Sequence, residues 1–159
     1  MKKLKIYLDT SVISHLDQQD APQKTEDTLK FWEILKGDKY EVFISIVDML
    51  ELERCQEEKF LLLKNKLDEV SFIFLDKNDE AEELAELYVA SNILTQKNIN
   101  DCRHIAYACV ANCDMVVSWN FKHIVNYKTI RGVKSVNAIA GYKEMEIYTP
   151  TMLLSEEEI

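Results

Sequence analysis

Short apolar runs alternate with amphipathic helical segments along this chain, and the alternation limits the choice of fold. The runs are rich in β-branched and aromatic residues, and they cover residues 4–8, 40–46, 70–75, 115–119 and 145–149. Strands that alternate with helices form a mostly parallel sheet with helices on both faces. The sequence therefore predicts the α/β class.

Helical periodicity appears in the segments between these runs. The predicted helices cover residues 25–36, 47–55, 57–67, 78–94, 101–111 and 127–140. The acidic segment 78–94 predicts an inner face of Leu84, Leu87 and Tyr88. We expect short loops, because 3 Gly and 2 Pro leave little material for linkers.

A chain of 159 residues with 47% hydrophobic residues is long enough for one core. We expect a single domain over residues 1–150 and an acidic tail over residues 151–159. No apolar run approaches the ~20 residues that span a bilayer, and "MKKLKIYLD" has no signal-peptide core. With no secretory signal, the four cysteines predict reduced thiols, a cytoplasmic location and no membrane contact.

The formal net charge of −9 argues against a nucleic-acid partner, but its distribution is uneven. No acidic residue lies between Met115 and Lys143. The basic residues of that stretch are Lys122, Lys128, Arg131, Lys134 and Lys143. Such a basic edge is compatible with salt-sensitive binding of a phosphate backbone. The alternative is a charge asymmetry without function.

Polar residues follow the predicted strands at their carboxyl ends, where open α/β sheets bind ligands. Asp9 follows the first strand, Glu51 lies in the first helical turn after the second, and Asn120 follows the fourth. Asp101 begins the helix that leads into the fourth strand. We therefore expect these side chains near one edge of the sheet.

Each acid also has a purely structural explanation. Asp9 is either a turn residue that caps local N–H groups or a metal ligand or phospho-acceptor. A phospho-aspartate enzyme of the haloacid-dehalogenase type needs a second Asp at position 11, and Ser11 excludes it. Glu51 can complete a capping box with Asp48, and Asp101 can occupy the third position of a helix capped by Asn98.

One histidine and three cysteines in and after the helix of Asp101 also have alternative roles. His104 lies one helical turn after Asp101 and either orients it, contacts a substrate phosphate, or is a buried structural histidine. Cys102, Cys109 and Cys113 share one helical stripe and contain no close pair of the C-x-x-C kind, so they predict core packing rather than zinc binding.

If several of these carboxylates lie close together, they favour the binding of a divalent cation. Packed carboxylates repel one another and resist ionisation. Mg²⁺ or Mn²⁺ removes that penalty and suits an all-oxygen site. The corresponding chemistry is hydrolysis of a phosphodiester by a metal-activated water. The Asn120 amide can bind such a water but is a poor ligand, and the Ser118 hydroxyl can brace it.

Five segments together resemble the PIN-domain ribonucleases, and specifically the VapC-type toxins of bacterial toxin–antitoxin pairs. They are "YLDTSVI", "ISIVDMLELER", "NINDCRHIAYA", "CDMVVSWNFKHIVN" and "GYKEMEIYTP". The resemblance implies a PIN-like three-layer α/β/α fold with a five-stranded, mostly parallel sheet. It also implies Asp9, Glu51 and Asp101 as the acids around Mg²⁺ or Mn²⁺. Asn120 stands where the family often has a fourth acid.

The function that follows from the resemblance is a Mg²⁺- or Mn²⁺-dependent endoribonuclease that acts on RNA, as a homodimer with a cognate antitoxin protein. Asp9, Glu51, Asp101 and Asn120 would be its catalytic residues. The residues expected to position the site or the substrate are Ser11, Ser118, His104, Lys122, Lys128 and Arg131. The alternatives are a catalytically weak PIN-like module that binds RNA or protein, and a small phosphatase on a similar sheet.

Overall fold

The computed structural model describes residues 2–154, which form a parallel sheet between two layers of helices. All strand pairs are parallel, in the order β3-β2-β1-β4-β5. The strands are β1 (Leu4–Leu8), β2 (Tyr40–Ser45), β3 (Phe72–Leu75), β4 (Met115–Val117) and β5 (Glu146–Tyr148). This three-layer α/β/α arrangement confirms the predicted fold class.

The strand order reverses direction between β1 and β4. β2 and β3 follow β1 on one side, whereas β4 and β5 lie on its other side. Ile6 pairs with Val42 of β2 and with Met115 of β4, so the three strands end at the same edge. Such a reversal opens a crevice outside the carboxyl ends of the strands, where α/β proteins bind ligands.

Eight α-helices fill the two outer layers of the described residues. They are α1 (Thr10–Ser14), α2 (Pro22–Lys36), α3 (Ile46–Leu52), α4 (Glu57–Leu67), α5 (Asp79–Ala90), α6 (Ile99–Val110), α7 (Tyr127–Ala140) and α8 (Pro150–Leu154). The bounds of α4 and α7 are those predicted. Helix α2 begins earlier than predicted because Pro22, with its fixed φ, occupies the first turn. Helix α5 ends earlier than predicted, shortly before Asn92, whose φ is +61°.

The core has one part on each face of the sheet. Ile6 and Leu8 of β1 pack on the side of α2 and α4, whereas Tyr7 packs on the side of α5 and α6. This alternation follows from the two-residue period of a strand. Cys102, Cys109 and Cys113 are buried and form no disulfide, as predicted, but Cys113 lies beyond the end of α6 and not on a helical stripe.

The predicted inner face of α5 is wrong at one position. Leu84 and Tyr88 are buried, but Leu87 is largely exposed. At about 100° per residue, Leu87 points to the margin of the stripe that Leu84 and Tyr88 define.

The predicted tail also begins too early. Residues 151–154 belong to α8, which packs against α2 and buries Leu153. The Thr151 hydroxyl donates to Asp27 Oδ2 at 2.7 Å. Apolar burial and this bond hold the segment in place, and residues 155–159 lie outside the described residues. Across residues 2–154, none of the helices has the length and apolarity needed to cross a membrane.

Candidate active site at the carboxyl edge of the sheet

Asp9 lies at the crevice between β1 and β4, and its side chain is held by hydroxyl groups. Its Oδ2 accepts hydrogen bonds from Ser11 and from Ser118, both at 2.6 Å. Asp9 is 4% exposed, and although it precedes α1, its side chain makes no capping hydrogen bond. The interpretation of Asp9 as a local turn cap is therefore wrong. Ser11 and Ser118 are placed to orient its carboxylate.

Helix α3 has a capping box at the end of β2 that does not include Glu51. Glu51 therefore does not have the capping role that the sequence suggested. Helix α3 begins at Ile46, so its N-cap is Ser45 and its third residue is Asp48. Ser45 N donates to Asp48 Oδ2 at 2.9 Å, and Val47 N donates to Ser45 Oγ at 3.1 Å. The predicted box of Asp48 with Glu51 is wrong, because it requires Asp48 as the N-cap, whereas the N-cap is Ser45, three residues earlier.

His104 of α6 lies between three of the carboxyl groups and is only 1% exposed. Its Nε2 lies 2.5 Å from Glu51 Oε1 and 3.3 Å from Asp9 Oδ1. Its Nδ1 lies 2.7 Å from the Tyr7 hydroxyl and 3.8 Å from Asp48 Oδ1. The ring nitrogens thus face Glu51, Asp9 and Asp48 rather than Asp101, which the helix spacing had suggested.

The charges of this cluster depend on one another. Burial lowers the pKa of the His104 imidazole, but the carboxylates of Asp9, Asp48 and Glu51 outweigh burial and raise it to about 10. Burial raises the pKa of Asp48 to about 7. Burial also acts to raise the pKa of Glu51, yet its hydrogen bond to His104 holds that pKa below its usual value. His104 is therefore the internal counter-cation of the acids at neutral pH.

Thr10 joins Asp48 and Glu51 in the same cluster. Its hydroxyl is 3.0 Å from Asp48 Oδ1 and 2.9 Å from Glu51 Oε1. The sequence patterns predicted Asp9 and Ser11 as site residues but did not predict Thr10, which lies between them. Its role depends on α1 folding back over α3, which no local pattern indicates.

Asp101 forms a second group with Asn120 and His123. Asn120 Nδ2 donates to Asp101 Oδ1 at 3.2 Å, and His123 Nδ1 lies 3.0 Å from Asp101 Oδ2. Asn98 precedes α6 but makes no side-chain cap bond, so Asp101 belongs to no capping box. Asn120 thus orients Asp101, and His123 is a contact that the sequence analysis missed.

Ser118 connects the two groups. Its hydroxyl donates to Asp9 and accepts from Asn120 N at 2.9 Å, which is the bracing contact expected of it. Burial and the charges of Asp9 and Glu51 raise the pKa of Asp101, so the acids share one electrostatic environment. Side-chain exposure is 29% for Glu51 and 19% for Asp101. A molecule in the crevice would therefore meet Glu51 and Asp101 first.

The basic stretch of the sequence does not form one surface. Lys122 is exposed in the turn after Asn120. Lys128 and Arg131 line a shallow cavity of about 410 Å³ beside α7. Lys134 instead pairs with Glu144 and Glu146, and Lys143 pairs with Asp114, at the amino edge of the sheet. Lys134 and Lys143 thus form ion pairs at the edge of the sheet opposite to the acids.

The acids offer the type of ligand atom that a hard divalent cation prefers. However, His104 occupies the space between Glu51 and Asp9. Carboxylate oxygens of Asp9, Glu51 and Asp101 are the ligands that Mg²⁺ and Mn²⁺ prefer. Within residues 2–154, however, no group of three or more acidic, histidine or cysteine side chains is placed to hold a metal ion. Glu51 and Asp9 would have to exchange the imidazole for the ion.

Fold and site together define a three-layer α/β/α protein with a cluster of carboxylates at the point where the strand order reverses. Comparison with known protein families and with curated proteins finds no match for this chain. The resemblance to PIN-domain ribonucleases therefore rests on the sequence motifs, and the function is a proposal.

Proposed function

We propose that this chain is a Mg²⁺- or Mn²⁺-dependent endoribonuclease of the PIN-domain type, which acts in the cytoplasm as the toxin of a toxin–antitoxin pair. The observation that carries the proposal is the carboxylate cluster at the switch point of the sheet, with Glu51 and Asp101 partly exposed to solvent. His104 supplies one positive charge to the inner carboxylates, and the outer ones, Glu51 and Asp101, remain accessible to an ion and to a phosphate.

Asp9, Glu51 and Asp101 are the residues that would hold the cation. When bound, the cation would supply an activated water and neutralise the charge that develops on the phosphate. The protein's own part is to fix the ligands: Ser11 and Ser118 orient Asp9, and Asn120 orients Asp101. Outer partners of this type commonly change metal affinity by about 10–100-fold.

An exposed aromatic ring that follows Asn120 in the chain favours a single-stranded substrate. Phe121 directly follows Asn120 and is 50% exposed, and Lys24 Nζ lies 5.3 Å from the centre of its ring. Lys24 also lies over the ring of Trp119. Exposed rings next to basic groups stack unpaired bases with little sequence preference. Lys122 would add a phosphate contact in the same turn.

The test of this function is cleavage of a labelled single-stranded RNA. We expect cleavage with Mg²⁺ or Mn²⁺, none in EDTA, and recovery when the metal is returned. Asp101→Asn should abolish cleavage, whereas Asp38→Asn should retain it, because Asp38 is an exposed acid paired with Lys3 before β2. Cleavage that survives both EDTA and Asp101→Asn would contradict the mechanism.

A second candidate function is a catalytically weak module that binds RNA or protein. The position of His104 between Glu51 and Asp9 favours it, because the imidazole already supplies the positive charge that a metal would bring. RNA binding by the wild-type chain without cleavage in Mn²⁺ would support this alternative.

The proposal includes two protein partners, a second copy of the chain and an antitoxin. Light scattering of the isolated chain measures the first, and a dimer mass is expected. The second is tested by a search for a small reading frame directly upstream of the gene and by co-expression with its product, with suppressed RNA cleavage as the expected result.

A further inference from the structure

A cleft adjoins the acids on the side of β3. It has a volume of about 390 Å³ and lies between α3, the β3–α5 connection and α6. Glu51 lines one end of it while its Oε1 contacts His104. A chain that enters this cleft therefore passes directly beside Glu51, one of the two outer carboxylates.

One wall of the cleft is apolar. Ile46, Val47 and Leu50 lie along α3, and Leu50 is 53% exposed. Such exposure of a large apolar side chain costs free energy unless a ligand covers it. The wall therefore suits the flat faces of nucleobases, whose polar edges remain free for water.

The rim of the cleft is basic. Arg54, Lys77 and Arg103 line it, and Arg54 and Lys77 are exposed. The charge of Arg54 also lowers the pKa of Glu51, so it acts on the acid at the end of the cleft. This positive rim belongs to a chain whose net charge is −9, which makes it a local feature.

Glu82, the acidic residue on the rim of the cleft, is hydrogen-bonded within the protein. Glu82 Oε1 accepts from Arg103 Nε at 2.8 Å, and its Oε2 accepts from the Tyr107 hydroxyl at 2.7 Å. Arg103 Nη1 also donates to Asn100 Oδ1 at 2.7 Å, which fixes the guanidinium at the edge of the cleft. Glu82 is thus neutralised by Arg103, and the remaining charged side chains of the lining are Arg54, Lys77 and, next to the acid cluster, Glu51.

We propose that this cleft binds the segment of single-stranded RNA next to the cleaved phosphodiester. Bases lie against Ile46 and Leu50, and phosphates contact Arg54 and Lys77. An apolar wall with a cationic rim matches the alternating bases and phosphates of an unpaired strand. This inference rests on the proposed function and extends it by assigning a binding path to the substrate.

The experiment measures the affinity of a labelled single-stranded RNA of ~10 nucleotides, by fluorescence anisotropy in EDTA over a series of salt concentrations. The test variant is Arg54→Ala/Lys77→Ala. The control, Lys30→Ala/Lys64→Ala, removes two charges from α2 and α4, on the other face of the sheet. Thermal denaturation verifies that both variants fold.

We expect the test variant to raise the Kd at least about tenfold and the control to leave it nearly unchanged. Loss of two phosphate contacts should also reduce the slope of log Kd against log salt by about 1.4. Leu50→Ala should raise the Kd several-fold with the slope unchanged, because the apolar wall carries no charge.

Equal affinities for the test and control variants would overturn the proposal, as would absence of RNA binding by the wild-type chain. Competition by a poly-glutamate peptide at equal concentration would assign the cleft to an acidic protein partner and also overturn it. Because the measurement is made in EDTA, it is independent of cleavage. Cleft-dependent binding without cleavage in Mn²⁺ would refute the nuclease but support the cleft.

Discussion

Replacement of His104 by alanine is the sharpest perturbation of the carboxylate cluster. The imidazole contacts Glu51 at 2.5 Å, Asp9 at 3.3 Å and the Tyr7 hydroxyl at 2.7 Å, in a buried position. Its removal leaves the buried Asp9 and Asp48 carboxyl groups facing a cavity without their positive partner.

The size of the effect follows from that burial. Removal of one partner of a buried ion pair costs about 3–5 kcal/mol, because the remaining charge is left uncompensated. In a domain of this length, each kcal/mol lowers the Tm by about 2–4 °C. His104→Ala should therefore lower the Tm by about 6–20 °C in EDTA.

The assay is thermal denaturation followed by circular dichroism, first in EDTA and then in millimolar Mn²⁺. We expect Mn²⁺ to raise the Tm of His104→Ala more than that of the wild type, because the ion replaces the lost positive charge. The control is His123→Ala, which removes a partly exposed histidine beside Asp101 and should cost no more than about 1 kcal/mol. A loss of less than about 1 kcal/mol for His104→Ala would refute the reasoning.

Three further predictions concern the same cluster. The folded-state pKa of His104 is raised from 6.5 to about 10, so its stabilisation is complete below about pH 6.5 and is lost as the pH rises towards 10. Urea denaturation in EDTA at pH 7 and pH 10 should show this loss in the wild type and not in His104→Gln. Ser118→Ala removes the donor to Asp9 and should cost about 1–3 kcal/mol; an unchanged urea midpoint would contradict its bracing role. Asn120→Asp exchanges the amide that donates to Asp101 for a carboxylate, so it should destabilise the protein in EDTA and tighten Mn²⁺ binding, as measured by calorimetry. Weaker Mn²⁺ binding by Asn120→Asp would contradict that assignment.

Much of the fold could be predicted because its signals are local. The apolar runs at β1 and β2 and the periodicity of α4 each lie within a few adjacent residues. Parallel strands then bring their carboxyl ends to one edge. That rule brings Asp9, Glu51 and Asn120 to one edge without any knowledge of the tertiary contacts.

The contacts around the buried His104 could not be predicted, because they join distant parts of the chain. His104 meets Tyr7, Asp48 and Glu51, which come from β1 and α3, and no spacing within α6 indicates them. The choice of N-cap, Ser45 or Asp48 three residues later, also decides whether Asp48 forms the capping box with Ser45 or with Glu51. Local patterns leave such choices open, and tertiary packing decides them.

The central claim is that Asp9, Glu51 and Asp101 together bind a divalent cation, and isothermal calorimetry with Mn²⁺ tests it most directly. The account predicts binding by the wild-type chain at millimolar concentration or below. Asp101→Asn should weaken that binding at least about tenfold, and Asp38→Asn should leave it unchanged. Absence of Mn²⁺ binding at millimolar concentration, or equal binding by Asp101→Asn and the wild type, would contradict the claim.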